Sequence, residues 1–336
     1  MRFFEQQAAA RGQSIRLVVL FALAVAATVL AVHGTLSLLW WGVNLFLPVS
    51  RPAYFTEVNL GLPLLLVLGG WWIEWSNLQG PEGAQRLAAR MGAREARPSA
   101  SQAEQRLCNI VDEVTIAAHM PRPLVMVLPR MQAINAMAAG MDEDSALIMV
   151  SQGALDWLTR DELQGLVAHE CSHIHEGDTR LHMQLAGMVA GLELVWGMGD
   201  ALRERTAPSI SAVLGIAIMT VGIFGWWAGR ALQAAVSRQR ELLADARAVQ
   251  WTRSRDGLGG VLRKALAQRA QPGATWRDPA WCAAFSHLLL VGPSREDGGW
   301  LDAHPPLAER IRRVYGRPMP PLHPGTGLSL PAVVPF

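Results

Sequence analysis

Charge is scarce in this chain. Of its 336 residues only 17% are Asp, Glu, Lys or Arg, against about 25% in an ordinary soluble domain. Lysine occurs once, as Lys264, so nearly all basic residues are arginine. The net charge of +2, with no Lys/Arg-rich run, leaves no field for nucleic acid and excludes it as a partner. Cysteine is equally sparse: Cys108, Cys171 and Cys282 form no CxxC and no even set. That excludes a disulfide framework and a cysteine-based zinc knuckle, and it fits a reducing compartment. A disordered or acidic-tail chain is excluded too, because 51% of the residues are apolar and the mean hydropathy is +0.18. A balance of this kind points to membrane spans.

Four stretches qualify. Residues 17–39 carry no formal charge and are long enough to cross a bilayer, which takes about 20 apolar residues. Their apolar character continues through Trp40, Trp41 and Leu47, which favours an uncleaved anchor over a signal peptide. Residues 58–73 form a second span despite Pro63 and the Gly69-Gly70 pair, breakers that neighbouring helices make tolerable. Residues 183–199 are marginal, because Glu193 lies in their middle; residues 209–229 are uncharged and the cleanest of the four. Tryptophan pairs at 40/41, 71/72 and 226/227 fall at span ends, where indole rings prefer the headgroup layer. Arg2, Arg11 and Arg16 precede the first span, and Arg86, Arg90, Arg94 and Arg97 follow the second, while the loop between holds only Arg51. This bias places the N-terminus and everything after residue 76 on the cytoplasmic side; Arg203 and Arg205 count against it.

Between and after the spans the pattern changes. Residues 76–100 read as a linker with a short helix. Ser101 and Glu104 open a helix as a capping box, with an apolar stripe of Leu107, Ile110, Val111, Val114 and Ala118. Pro121 and Pro123 end it, and 124–128, 135–139 and 146–151 read as short strands of a small sheet. Thr159 and Glu162 form a second capping box, closed by Gly177 at the C-terminal end. A further helix is expected from Arg230 to about Arg253, and another over 305–313 with Pro305 in its first turn. Between these two, loops fall at Gln271-Pro-Gly and Gly292-Pro-Ser, and a Pro-rich tail follows Gly316.

The second capped helix carries His169-Glu-Cys-Ser-His173, an HExxH motif. Positions i and i+4 share a helical face, so both imidazoles can reach one zinc ion, and Glu170 between them can accept a proton from water beside the metal. The motif alone arises by chance in roughly 1 sequence in 100; its place on a capped helix after a small sheet adds weight. A catalytic zinc needs a third protein ligand, for which Asp178, His175, His182, Glu241, His287 and His304 are candidates. Glu241 stands out, because Asp245 follows at i+4 and can orient a ligating histidine; a solvated helix face explains the pair equally well.

Taken together, these residues resemble the HtpX-type and CAAX-prenyl-endopeptidase-type integral membrane zinc metallopeptidases. The likeness covers most of 100–315 and runs through Asn135-Ala-Met-Ala-Ala-Gly140, Asp161-Glu-Leu, the HExxH motif, Gly177-Asp178, Ser237-Arg-Gln-Arg-Glu241-Leu-Leu-Ala-Asp245 and His304-Pro-Pro-Leu-Ala-Glu-Arg310-Ile311. Met137 and Cys171 depart from the family pattern without removing a catalytic group. The resemblance implies a mainly α membrane protein with about four transmembrane helices and a zincin-like α+β catalytic domain with a small β-sheet. It implies one zinc ion per chain with Glu241 as third ligand, Glu170 as catalytic base and Asp245 behind a ligating histidine. It also implies an extended polypeptide substrate lying along a short edge strand, a part that 135–139 could take.

Roles for His304, Arg310 and Asn135 stay open at this point. Arg310 suits an oxyanion or substrate contact and a structural ion pair equally, and Asn135 belongs to a strand that is either edge or interior. His175, His182, His287 and His119 read as exposed, hydrogen-bonded or packing residues, and Cys171 as a buried inert thiol.

If His173 and Glu241 share an ion, the chain crosses the membrane an even number of times between them. The segment over 183–199 therefore crosses too, with Glu193 facing the bundle interior or an interface. The expected organisation is a two-span anchor over 1–75, peptidase segments over 76–182 and 230–315, a membrane hairpin over 183–229 and a tail over 316–336. The expected activity is zinc-dependent hydrolysis of membrane or unfolded proteins by an enzyme of a bacterial inner membrane, its catalytic domain facing the cytoplasm. A non-catalytic zinc-holding membrane protein and a narrow CAAX-type processing protease are the alternatives.

Overall fold

A computed structural model describes residues 2–48, 50–203, 210–270, 285–292, 299 and 302–323. The expected loop at Gln271, most of the Gly292 turn, Cys282 and the tail beyond residue 323 lie outside the described residues. The chain divides into two compact units, Met1–Asn77 with Gln184–Ala235, and Leu78–Met183 with Val236–Phe336.

The first unit is built from α1 (Arg2–Phe46), α2 (Phe55–Leu78), most of α7 (Asp178–Leu202) and the first part of α8 (Ile210–Thr252). All four helices are long and apolar enough to cross a membrane. The Gly69-Gly70 pair does not break α2. A Cβ at Gly70 would lie 3.2 Å from Gly191 Cα, and one at Gly191 3.0 Å from Trp71 N, so the two helices touch backbone to backbone. Small residues serve this purpose in membranes, where close van der Waals packing replaces the hydrophobic drive. Trp41, Trp72 and Trp227, the second member of each indole pair, are exposed. Glu193 is half-buried on α7 and lies in the field of Arg230 of α8, a cation that lowers the cost of a carboxylate at membrane depth. The chain passes into this unit after Met183 and leaves it at Val236, so α7 and α8 together form an out-and-back pair.

The second unit contains α3 (Gly83–Arg90), β1 (Arg94–Glu95), α4 (Gln102–Ala118), β2 (Leu124–Leu128), β3 (Ala136–Ala139), β4 (Leu147–Ser151), α5 (Gln152–Trp157), α6 (Arg160–His175), α9 (Arg255–Arg269), a single 3-10 turn (Ser286–Leu288) and α10 (Leu307–Tyr315). The sheet order is β1-β2-β4-β3, with β2 parallel to β4 and both outer strands antiparallel to their neighbours. Strand β1 falls where the sequence reads as linker. Two residues are too few for a period-2 signal, and a side chain from elsewhere secures them: Glu104 accepts from Arg94 at 2.6 and 2.9 Å and from Arg97 N at 2.6 Å. Ser101 does cap α4, but Glu104 is thereby drawn away from the reciprocal half of that box.

Helix α6 runs through the core. From Leu163 to Ile174 every residue except Gln164 is buried, because β3, α4 and α9 all pack around it. Its capping box is complete: Thr159 accepts from Glu162 N, and Glu162 accepts from Thr159 N at 2.7 Å. Glu162 also receives the ammonium of Lys264, the chain's one lysine, at 2.7 Å, which ties α9 to the start of α6. The α6–α9 crossing is closest at Gly165, where a Cβ would meet Gly257 C at 2.7 Å and Leu258 Cα at 2.9 Å. Gly165→Val should therefore lower stability by about 1–3 kcal/mol through overpacking, read as an earlier midpoint in detergent melting curves. An unchanged midpoint would mean the helices have room to separate.

Candidate metal centre

Helix α6 carries His169 and His173, one turn apart and both buried. Glu241 reaches the same point from α8, beyond the membrane hairpin. The Nε2 atoms of the two histidines are 3.2 Å apart. His169 Nε2 lies 3.7 Å from Glu241 Oε2, and His173 Nε2 lies 3.4 Å from Glu241 Oε1. A small divalent ion with bonds of about 2.0–2.1 Å in tetrahedral geometry separates its ligands by about 3.4 Å. The three protein atoms span one face of such a tetrahedron.

The far side of each ring makes the same point. His169 Nδ1 faces Asp245 Oδ1 at 3.1 Å, and His173 Nδ1 faces Asp178 Oδ2 at 3.0 Å. A carboxylate accepts only, so each Nδ1 carries the proton and each Nε2 presents a lone pair. Two lone pairs facing each other at 3.2 Å repel unless a cation lies between them, and the donor set of two imidazoles and a carboxylate suits one. Burial lowers the His169 pKa, against the pull of Asp245 and Glu241, and so favours the neutral ring that ligation needs. At His173 burial also opposes charge, but the adjoining Glu241 carboxylate outweighs it and the pKa is raised.

Glu170 is 1% exposed, and both its carboxylate oxygens are buried without a well-formed hydrogen bond. Burial pushes its pKa up to about 8, opposed by the nearby His173. A carboxyl left this bare and basic beside three convergent ligands can take and return a proton. Cys171, next in sequence, is fully buried, and desolvation pushes its thiol well above the usual range, out of reach of the thiolate that metal binding or oxidation requires.

Arg310 lies behind the ligands with no exposure at all. Its guanidinium donates to both oxygens of Asp245 at 2.7 and 2.8 Å and to Leu290 O at 2.7 Å, and its Nη1 sits 2.9 Å from Glu241 Oε2. Of the two roles open to it in sequence, the geometry supplies the ion pair. His304 joins the cluster with its Nδ1 3.6 Å from Glu241 Oε2. Asn135 is fully buried and committed: its amide oxygen accepts from Ala136 N and Val291 N, and its Nδ2 donates to Val291 O.

These bonds fasten residues 289–291 along the outer edge of β3. Leu290 N donates to Ala136 O at 2.8 Å, and Met137 bridges Leu289. Of the two readings left open for 135–139, edge or interior, the chain itself covers the outer side of the strand as far as Met137. His182, one of the sequence candidates for the third ligand, is buried with its ring 5.8 Å from that of His173 and outside the ligand trio, and its carbonyl accepts from His287 Nε2 at 3.0 Å. His175 is the exposed member, 3.7 Å from Glu143 and edge-on to Trp251. Sequence reasoning missed Asp178 as the partner of His173. Its signal was faint: an acid five residues on, past the turn that Gly177 makes at φ 72°. Arg240 pairs with Asp178 in turn.

The model of peptidase family M48 matches residues 101–317, the span that holds all of these groups. The chain belongs to peptidase family M48. Relatives in this family include the "Protease HtpX homolog" of Thermoanaerobacter pseudethanolicus, 32% identical over 266 residues that cover 76% of this chain and 85% of that protein. The protein of the same description from Dictyoglomus turgidum is 35% identical over 62% of this chain and 68% of its own length. That from Ligilactobacillus salivarius is 31% identical over 67% and 77%. No solved structure matches the chain. As an M48 member with four membrane-capable helices, the protein is an HtpX-like membrane metallopeptidase that hydrolyses peptide bonds and works with a metal ion.

Proposed function

We propose that the metal is zinc, one ion per chain, held by His169, His173 and Glu241, and that the enzyme is an endopeptidase of misfolded or unassembled membrane proteins. The observation that carries the reading is the convergence of three buried ligand atoms beside an unpaired Glu170. Bound there, zinc supplies Lewis-acid activation of a water molecule and of the scissile carbonyl. Glu170 takes the proton of the attacking water and delivers it to the leaving amine nitrogen. Asp245 and Asp178 hold the two imidazoles in the ligating tautomer, and Arg310 balances Asp245 and Glu241 from behind. The arginine bias of the segments flanking the first two spans supports a catalytic unit on the cytoplasmic side of a bacterial inner membrane.

The test uses the full chain purified in detergent with an unfolded protein as substrate. Chelator is expected to abolish cleavage and one equivalent of zinc to restore it; cleavage that survives complete metal removal would sink the reading. Asp178→Asn should retain the fold and weaken zinc binding about 10–100-fold, since the carboxylate orients His173. Titration of zinc into the stripped variant measures this, and wild-type affinity would remove Asp178 from the site.

A further inference from the structure

The first unit holds a half-open cavity of about 490 Å³ among α1, α2, α7 and α8, lined by apolar side chains such as Leu36, Phe55, Leu62 and Leu214. Trp40 and Asn59 are among the lining residues, and their N–H donors, Trp40 Nε1 and Asn59 Nδ2, are buried without a hydrogen-bond partner. A buried donor left unmet costs about 1–3 kcal/mol, so two at one cavity call for a ligand with acceptor atoms.

Arg51 supplies the charge. Its guanidinium carbon sits 5.6 Å from the Trp40 ring centre and 4.8 Å from that of Phe55, held by the two faces that flank the cavity. Among the described residues no carboxylate pairs with it, and Glu57, the nearest acid in sequence, makes no ion pair. The residue is exposed and sits in the connection between α1 and α2, at the helix ends where a headgroup layer meets a bundle.

An apolar cavity, buried N–H donors and an unpaired cation in sequence describe an amphiphile read from tail to head. We propose that this is a binding site for an anionic phospholipid, with one acyl chain in the cavity, ester or phosphate oxygens on Trp40 Nε1 and Asn59 Nδ2, and the phosphate under Arg51. Charge complementarity selects this occupant over a substrate helix. A helix in the bilayer satisfies its own backbone groups and has no acceptors to offer these donors. A lone guanidinium without a neighbouring acid favours a net negative headgroup over a zwitterionic one. The site is independent of the metal centre and of the chemistry proposed there.

Native mass spectrometry of the delipidated full-length protein, titrated with phosphatidylglycerol or phosphatidylcholine, tests this. One phosphatidylglycerol per chain is expected to bind at least about tenfold more tightly than phosphatidylcholine. Arg51→Gln should erase that preference, and Asn59→Leu should weaken both lipids. Unchanged peptidase activity and melting midpoint in each variant show that the fold is intact. Equal affinity for the two lipids, or a preference that survives Arg51→Gln, would reduce the site to ordinary annular lipid and overturn the proposal. So would displacement of bound phosphatidylglycerol by an apolar helical peptide, which would assign the cavity to a substrate segment.

Discussion

Glu170→Gln is expected to keep one metal ion per chain and to lose peptidase activity by a factor of about 10²–10⁴. Glutamine is close in size, so the buried position on α6 stays filled and the ligands His169, His173 and Glu241 are undisturbed. Only the proton-accepting oxygen pair is lost. That pair is unusual in being buried with no well-formed hydrogen bond, which is why burial raises its pKa to about 8. A cation held by the three ligands would oppose that rise and favour the charged, accepting form. Metal content by elemental analysis and turnover of an unfolded protein measure the two halves of the prediction. Full activity with full metal would move the base elsewhere; loss of metal together with activity would make Glu170 a structural residue. A peptidase that merely held its substrate would be indifferent to this substitution.

The second large effect is on stability. Arg310→Met should destabilise the protein by about 3–5 kcal/mol, because it leaves Asp245 and Glu241 buried without their cation. The loss should be greater after chelation, since a bound ion compensates Glu241 in part. Arg310→Lys should recover little. A lysine has no planar fork with which to reach both oxygens of Asp245 and Leu290 O together. Denaturation midpoints in detergent, with and without chelator, give all four values. Wild-type stability in Arg310→Met would mean that the carboxylates find protons or water in place of the arginine.

Asp178 and Arg310 show where reading along the chain stops. Arg310 is separated from Asp245 by 65 positions, and the pair forms only because α10 and the end of α8 both belong to the second unit. Asp178 is only five positions from His173, yet a helical pattern places i+5 away from the shared face. The Gly177 turn, with its left-handed backbone, brings the acid back to the ring. Strand β1 has too few residues to show a period and is held by Glu104 from the next helix. The short apolar run of β3 carries no record of which segment pairs with its outer edge, here residues 289–290.

Properties that depend on spacing along one element were readable. Apolar length marked the four membrane helices, because a bilayer demands about 20 consecutive apolar residues whatever surrounds them. The i, i+4 spacing put His169 and His173 on one face, and the Thr159–Glu162 pair marked where that helix begins. Two membrane-capable helices, α7 and α8, lie between His173 and Glu241, the even number that one ion with all its ligands on one side requires. Tertiary structure decided the rest: which acid stands behind each histidine, that Arg310 is a counter-ion, and that half of an edge strand is already closed. Those depend on close approach between segments distant in sequence, and a chain records its own periods but not its distant neighbours.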